Sequence, residues 1–190
     1  WSGYAQIFTL YAVQEATAQV GAWLGIRPPR FDPDGYANFL PEDSLYDAER
    51  AAANLPPPLP HPRSDDEPRD RADLRFPTLT RMRDMLSSLP EGTRKLVFFA
   101  PIYLGSRPPP GEPSSETLAA CKARVVAIAR TIPNTSVVDF TIDSPITRVP
   151  TNYWDPLHYR IGIAGQLEAD LGQAARDPAA LSDDYRILLP

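Results

Sequence analysis

The feature that most constrains this chain is a helix-forming stretch between two short apolar runs. Residues 95–101 (KLVFFAP) and 136–141 (SVVDFT) are rich in Val and Phe, which is typical of strands buried on both faces. Between them, apolar residues recur three or four positions apart from Leu118 to Ile132, which predicts an amphipathic helix. A strand, a crossover helix and a second strand form a βαβ unit, whose strands are parallel.

Helical spacing of apolar residues predicts four more helices. They are expected over residues 5–24, 45–54, 77–89 and 163–174. We expect Gly25 to stop the first of them and Asp43 or Ser44 to cap the second. Two strands cannot form a stable sheet alone, so the remaining strands are expected upstream of Trp1 or within residues 26–75. The predicted fold class is α/β, with a short parallel sheet between two layers of helices.

Proline marks the least regular part of the chain. The sequence holds 23 prolines in 190 residues, whereas average usage is about 5%. Six of them fall among the thirteen residues 56–68, and residues 63–75 then mix arginines with acids. This stretch buries little apolar surface, so we interpret residues 56–75 as a surface insertion in a single, partial domain 1–190. Such proline-rich segments are candidate docking arms for protein partners.

Composition excludes several classes of function. The net charge is −5 with no basic run, which argues against nucleic-acid binding. Cys121 is the single cysteine, and His61 and His158 are the two histidines, so neither a disulfide, a cysteine cluster nor a multi-histidine metal site is expected. No metal or other cofactor is predicted. No apolar run approaches the roughly 20 residues that span a bilayer.

The short sequence pattern that indicates a catalytic carboxylate–imidazole pair is Asp155-Pro156-Leu157-His158. This spacing lets the aspartate carboxylate reach Nδ1 of the imidazole across a turn. Such a contact fixes the tautomer of the ring and leaves Nε2 to act as a base. The alternative interpretation is that Asp155 is an ordinary N-cap, followed by a proline that starts the last helix.

Three longer segments resemble one family of enzymes. They are KLVFFAPIYL, CKARVVAIARTIPNTSVVDFT and NYWDPLHYRIGIAGQLEADL. Residues 77–174 resemble the C-terminal half of an SGNH/GDSL-type serine esterase domain. The similarity is narrower to the bacterial branch of the teichoic-acid D-alanyl transfer protein and the alginate-type O-acetyltransferases. Asp155 and His158 fall on the Asp-x-x-His of that family's last block.

The resemblance implies a function and a set of residues. Asp155 and His158 would form the acid/base pair of an ester hydrolase or O-acyltransferase with a flavodoxin-like αβα fold. Tyr153 and Trp154 would line the substrate, and Tyr103 would either line it or fill the edge of the core. The substrate would be a cell-surface glycan or a small acyl ester. The location would be extracytoplasmic (periplasmic), with a membrane anchor in sequence absent from this chain.

The family's nucleophile stands in a Gly-Asp-Ser turn after the first strand, and this sequence has no such turn. Ser44 is better interpreted as a helix cap, and Ser106 belongs to a loop after the wrong strand. We therefore expect the serine upstream of Trp1. The alternative is a catalytically inactive SGNH-like domain that serves as an accessory subunit of a larger, membrane-associated complex.

Overall fold

The computed structural model describes residues 10–27, 29, 43–57 and 68–190. The chain divides into two compact units, residues 1–40 and residues 41–190.

Helix α1 (Leu10–Trp23) belongs to the first unit and ends as its sequence predicts. Gly25 has a φ of +69°, a left-handed conformation that costs glycine nothing. The Gly25 N–H donates to the carbonyl of Ala22, and the Ile26 N–H donates to the carbonyl of Gly21. These two bonds form a Schellman motif, which satisfies carbonyls that the end of the helix would leave unpaired.

The second unit is a mixed α/β fold, in agreement with the predicted class. Its helices are α2 (Ala48–Ala53), α3 (Thr78–Ser88), α4 (Pro113–Ala129), α5 (Pro145–Arg148) and α6 (Ile161–Arg176). Its strands are β1 (Lys95–Phe99), β2 (Thr135–Asp139) and β3 (Arg186–Leu189). Single 3₁₀ turns lie at Asp43–Leu45, Leu104–Ser106 and Pro150–Asn152.

The sheet has the order β1-β2-β3. β1 and β2 are parallel, in register from Lys95 opposite Thr135 to Phe99 opposite Asp139, so the predicted βαβ unit is confirmed. β3 pairs antiparallel with β2, so the expectation of an all-parallel sheet is wrong. The described residues of 26–75, where further strands were expected, form no strand. β3 escaped prediction because its four residues are too few to show alternation.

Two apolar clusters lie on opposite faces of the sheet. Val137 and Val138 are both fully buried, and successive strand residues point to opposite faces. Val137 packs in one cluster with Val125 of α4, and residues of α3 pack against that cluster. Val138 packs in the other cluster with Leu167 of α6. The central strand therefore holds helices to both of its faces.

A buried ion pair joins α4 to the end of β2. Lys122 Nζ lies 2.6 Å from Asp139 Oδ2, and the two side chains are 1% and 0% exposed. The other oxygen of Asp139 accepts hydrogen bonds from the backbone N–H and the hydroxyl of Thr141, at 2.9 and 2.7 Å. Burial lowers the pKa of the Lys122 ammonium, and the attraction of Asp139 opposes this shift. The Lys122 ammonium on α4 and the Asp139 carboxylate on β2 thus compensate each other's charge.

The structure corrects the predicted start of the second helix. Asp47, and not Asp43 or Ser44, caps α2, because its side chain accepts from the N–H groups of Glu49 and Arg50. Asp43 and Ser44 form a separate 3₁₀ turn before it.

The second half of the proline-rich segment lies along α4. Arg124 Nε donates to Asp70 Oδ1 at 2.7 Å, and the Arg69 N–H donates to the carbonyl of Ala119 at 3.2 Å. The first half of the segment falls largely in residues 58–67, outside the described residues.

We expect Lys122→Met to lower the free energy of unfolding by about 3–5 kcal/mol, because it removes the ammonium that pairs with the buried Asp139 carboxylate. Urea denaturation followed by circular dichroism measures the change. The matched control is Arg83→Ala, which removes one partner of the exposed Arg83–Asp84 pair and should cost no more than about 0.5 kcal/mol. Equal effects of the two substitutions would contradict a stabilising role for the buried pair.

Candidate functional site

The Asp155–His158 segment forms the tip of a short hairpin over residues 152–160. The Arg160 N–H donates to the carbonyl of Asn152 at 2.8 Å, and the Trp154 N–H donates to the carbonyl of His158, also at 2.8 Å. Tyr153 and Tyr159 pair between these two bonds as an isolated antiparallel bridge. The backbone therefore closes on itself just before Asp155 and just after His158.

The Asp155 carboxylate organises the tip. Its Oδ1 accepts the backbone N–H groups of Leu157 and His158 at 2.9 and 3.0 Å. The ring Nδ1 of His158 lies 2.7 Å from Oδ2 and 2.9 Å from Oδ1. The contact that the spacing predicts is thus present. Helix α6 begins at Ile161 with Arg160 at its N-cap, so the alternative interpretation of Asp155 as the cap of that helix is wrong.

The protonation of the pair follows from its hydrogen bonds. Burial raises the pKa of the Asp155 carboxyl, but the hydrogen bonds from Leu157 and His158 together outweigh it and hold the pKa below its usual value. An ionised carboxylate can only accept, so Nδ1 of His158 carries the proton that it shares. Nε2 makes no hydrogen bond to a described residue, and the His158 side chain is 62% exposed.

The hairpin is tied to the sheet through the segment that follows β1. The Tyr103 N–H donates to the carbonyl of Pro156 at 3.0 Å, four residues after β1 ends at Phe99. This bond places the tip beside the carboxyl end of a parallel strand. Sites in open α/β sheets lie at that edge.

Two tyrosines that were considered for substrate contact lie in the interior. Tyr103 is 1% exposed and Tyr153 is fully buried, and their rings meet edge to face at 5.8 Å. Burial raises the pKa of both phenols. The Tyr153 hydroxyl is buried and has no hydrogen-bond partner among the described residues. Tyr103 therefore occupies the edge of the core, and substrate contact by either ring stays a prediction.

Gly105 permits the close packing beside these rings. A Cβ at this position would lie 2.6 Å from Cε1 of Tyr103 and 3.1 Å from the carbonyl oxygens of both Pro56 and Pro57. A side chain here would displace the Tyr103 ring or the backbone of residues 56–57. Glycine is therefore required for this approach of the two segments.

Residues 43–46 brace the other side of the hairpin. Arg160 donates to Asp43 through two nitrogens, with Nε at 2.7 Å from Oδ1, and its guanidinium lies 4.0 Å from the centre of the Tyr46 ring. Trp154 meets the same Tyr46 ring edge to face at 5.1 Å. No sequence pattern predicts this brace, because Asp43 and Arg160 lie 117 positions apart and neither stands in a recognisable motif.

The two serines considered within the chain are placed differently. Ser44 is exposed in the 3₁₀ turn at Asp43–Leu45, directly before the bracing Tyr46. The Ser106 hydroxyl is buried and has no hydrogen-bond partner among the described residues. A buried hydroxyl cannot meet an ester carbonyl without rearrangement, so Ser106 does not suit a nucleophile.

Across the described residues, no group of three or more His, Cys, Asp or Glu side chains could hold a metal ion. In the same part of the chain, no helix has both the length and the apolar character needed to cross a membrane. Comparisons with protein-family models, with curated proteins and with solved structures return no match to this chain. The resemblance to the SGNH family stays a prediction.

We expect the Asp155 carboxyl to titrate at a lower pH than an ordinary aspartate. His158→Ala should raise this pKa, because the ring no longer donates a hydrogen bond to the carboxylate. Carboxyl ¹³C NMR across an acid titration measures both values. Since folding depresses this pKa, the stability that the carboxylate contributes is present above the pKa of the unfolded chain and is lost as the pH falls through the folded pKa.

The matched control for this titration is His61→Ala, at the other histidine of the chain, which lies outside the described residues. It should leave the Asp155 titration unchanged. An Asp155 pKa that does not respond to His158→Ala would contradict the contact between the carboxylate and the ring.

Proposed function

We propose that this chain carries the acid/base pair of an SGNH-type ester hydrolase or O-acyltransferase. The observation that carries the proposal is the hydrogen bond between the Asp155 carboxylate and Nδ1 of His158, with Nε2 left without a described partner. An aspartate in this position holds the imidazole in one tautomer and stabilises the imidazolium that forms when Nε2 takes a proton. The position of the pair beside the carboxyl end of β1 adds support.

In the proposed reaction, Nε2 of His158 takes the hydroxyl proton of a serine as its oxygen attacks the ester carbonyl. The tetrahedral intermediate collapses, the bond between the acyl carbon and the alcohol oxygen breaks, and Nε2 gives its proton to the departing alkoxide. Water or a sugar hydroxyl then attacks the acyl-serine, and Nε2 takes its proton in the same way. The acyl group leaves on that second acceptor, and the serine hydroxyl recovers its proton from His158.

The serine is proposed to lie upstream of Trp1. The family resemblance places it in a Gly-Asp-Ser turn that precedes the blocks found here, and the 190 residues contain no such turn. The resemblance likewise supports a three-layer αβα, flavodoxin-like sheet, a cell-surface glycan or small acyl ester as substrate, and an extracytoplasmic location with a membrane anchor in other sequence. Trp154, half-buried beside the tip, is the aromatic ring proposed to contact the substrate.

The test uses the full-length natural protein and a chromogenic acetyl ester. We expect His158→Ala to lower kcat/KM by about 10²–10⁴-fold, the range that a general base contributes. Asp155→Asn should also lower it, because an amide can donate to Nδ1 and thereby favour the wrong tautomer. ¹⁵N NMR of the His158 ring checks the tautomer directly.

The matched control is His61→Ala, which should retain the turnover of the unsubstituted protein. Unchanged turnover in His158→Ala would remove His158 from the mechanism. A fluorophosphonate probe, which labels activated serines, distinguishes an active esterase or acyltransferase from a catalytically inactive accessory subunit. If the unsubstituted protein shows neither turnover nor labelling, the esterase proposal fails and the accessory-subunit interpretation is favoured.

A further inference from the structure

A groove of about 700 Å³ lies away from the hairpin, between α3, α4 and the residues that lead into α3. Its apolar lining includes Phe76, Leu79 and Ile128. Leu79 also packs against the apolar cluster on one face of the sheet, so it forms a wall between the groove and the core. None of its lining residues belongs to the 152–160 hairpin. The volume falls within the range of about 300–1,000 Å³ that is typical of small-molecule sites.

The charged residues that line the groove are all arginines, namely Arg75, Arg83 and Arg124. Two of them are partly neutralised, because Arg83 pairs with Asp84 at 2.8 Å and Arg124 pairs with Asp70 at 2.7 Å. Arg75 makes no ion pair with a described residue. Three arginines against two aspartates leave one positive charge, in a chain whose net charge is −5.

We propose that this groove binds a small amphiphilic monoanion, such as a carboxylate with an aliphatic tail. The tail would cover Phe76, Leu79 and Ile128, and the carboxylate would pair with Arg75. The size of the groove fits such a ligand, and its single uncompensated charge matches a monoanion. A guanidinium suits a carboxylate because its N–H groups can donate two parallel hydrogen bonds.

The test is a titration of the ¹⁵N-labelled natural protein with octanoate, followed by amide chemical shifts. We expect the shifts to move for residues 74–80 and 127–131. Arg75→Gln should raise the dissociation constant about tenfold, because it removes a charge-assisted hydrogen bond. Ala127→Glu introduces a negative charge at an exposed lining position and should abolish binding, while glutamate remains a good helix former.

The matched control is Arg81→Gln, which removes an arginine of α3 that does not line the groove and should leave the dissociation constant unchanged. Octanol, with the same tail and no charge, should bind more weakly and should not respond to Arg75→Gln. Equal binding of octanol and octanoate, or shifts confined to other residues, would overturn the proposal. A dimer that Ala127→Glu dissociates in sedimentation equilibrium would assign the groove to a second copy of the chain and would also overturn it.

Discussion

The burial of β2 on both faces is the constraint that organises the second unit. β2 pairs with β1 along one edge over all five residues, and with β3 along the other edge from Val137 to Asp139. Val137 and Val138 then carry apolar side chains to opposite faces, and each face needs its own layer of helix to exclude water. Asp139 ends the strand as a buried charge, and Lys122 on α4 compensates it. The side chains of β2 therefore determine on which faces of the sheet α4 and α6 pack, and where a buried charge needs a partner.

The hairpin takes its location from this sheet and its internal geometry from its own residues. Its anchor is the Tyr103 N–H, which reaches Pro156 from the segment after β1, with the packed rings of Tyr103 and Tyr153 beneath. The carboxylate of Asp155, by contrast, accepts hydrogen bonds from Leu157 and His158 alone among the described residues. An imidazole on such a support keeps its orientation because the backbone, and not a long flexible side chain, holds the carboxylate that orients it.

Parts of the fold could be predicted because the signal lies in a short window of sequence. The β1-α4-β2 unit shows its periodicity within each element, and the stop of α1 needs only Gly25. The cap of α2 was misassigned because Asp43, Ser44 and Asp47 are all good capping residues within five positions, and spacing alone cannot rank them. β3 was not predicted because an antiparallel edge strand does not require a crossover helix, so no helix pattern in the sequence indicates it.

For the candidate site, local spacing was sufficient to bring Asp155 to His158, since a four-residue turn limits how far apart two side chains can be. The same spacing was also compatible with Asp155 as the cap of the last helix. The structure excludes this interpretation, because α6 begins at Ile161. The brace of Arg160 on Asp43, the meeting of the Tyr103 and Tyr153 rings, and the pairing of Arg124 with Asp70 beside the groove are contacts between distant segments. No pattern along the chain encodes such contacts, because topology and packing decide which distant residues become neighbours.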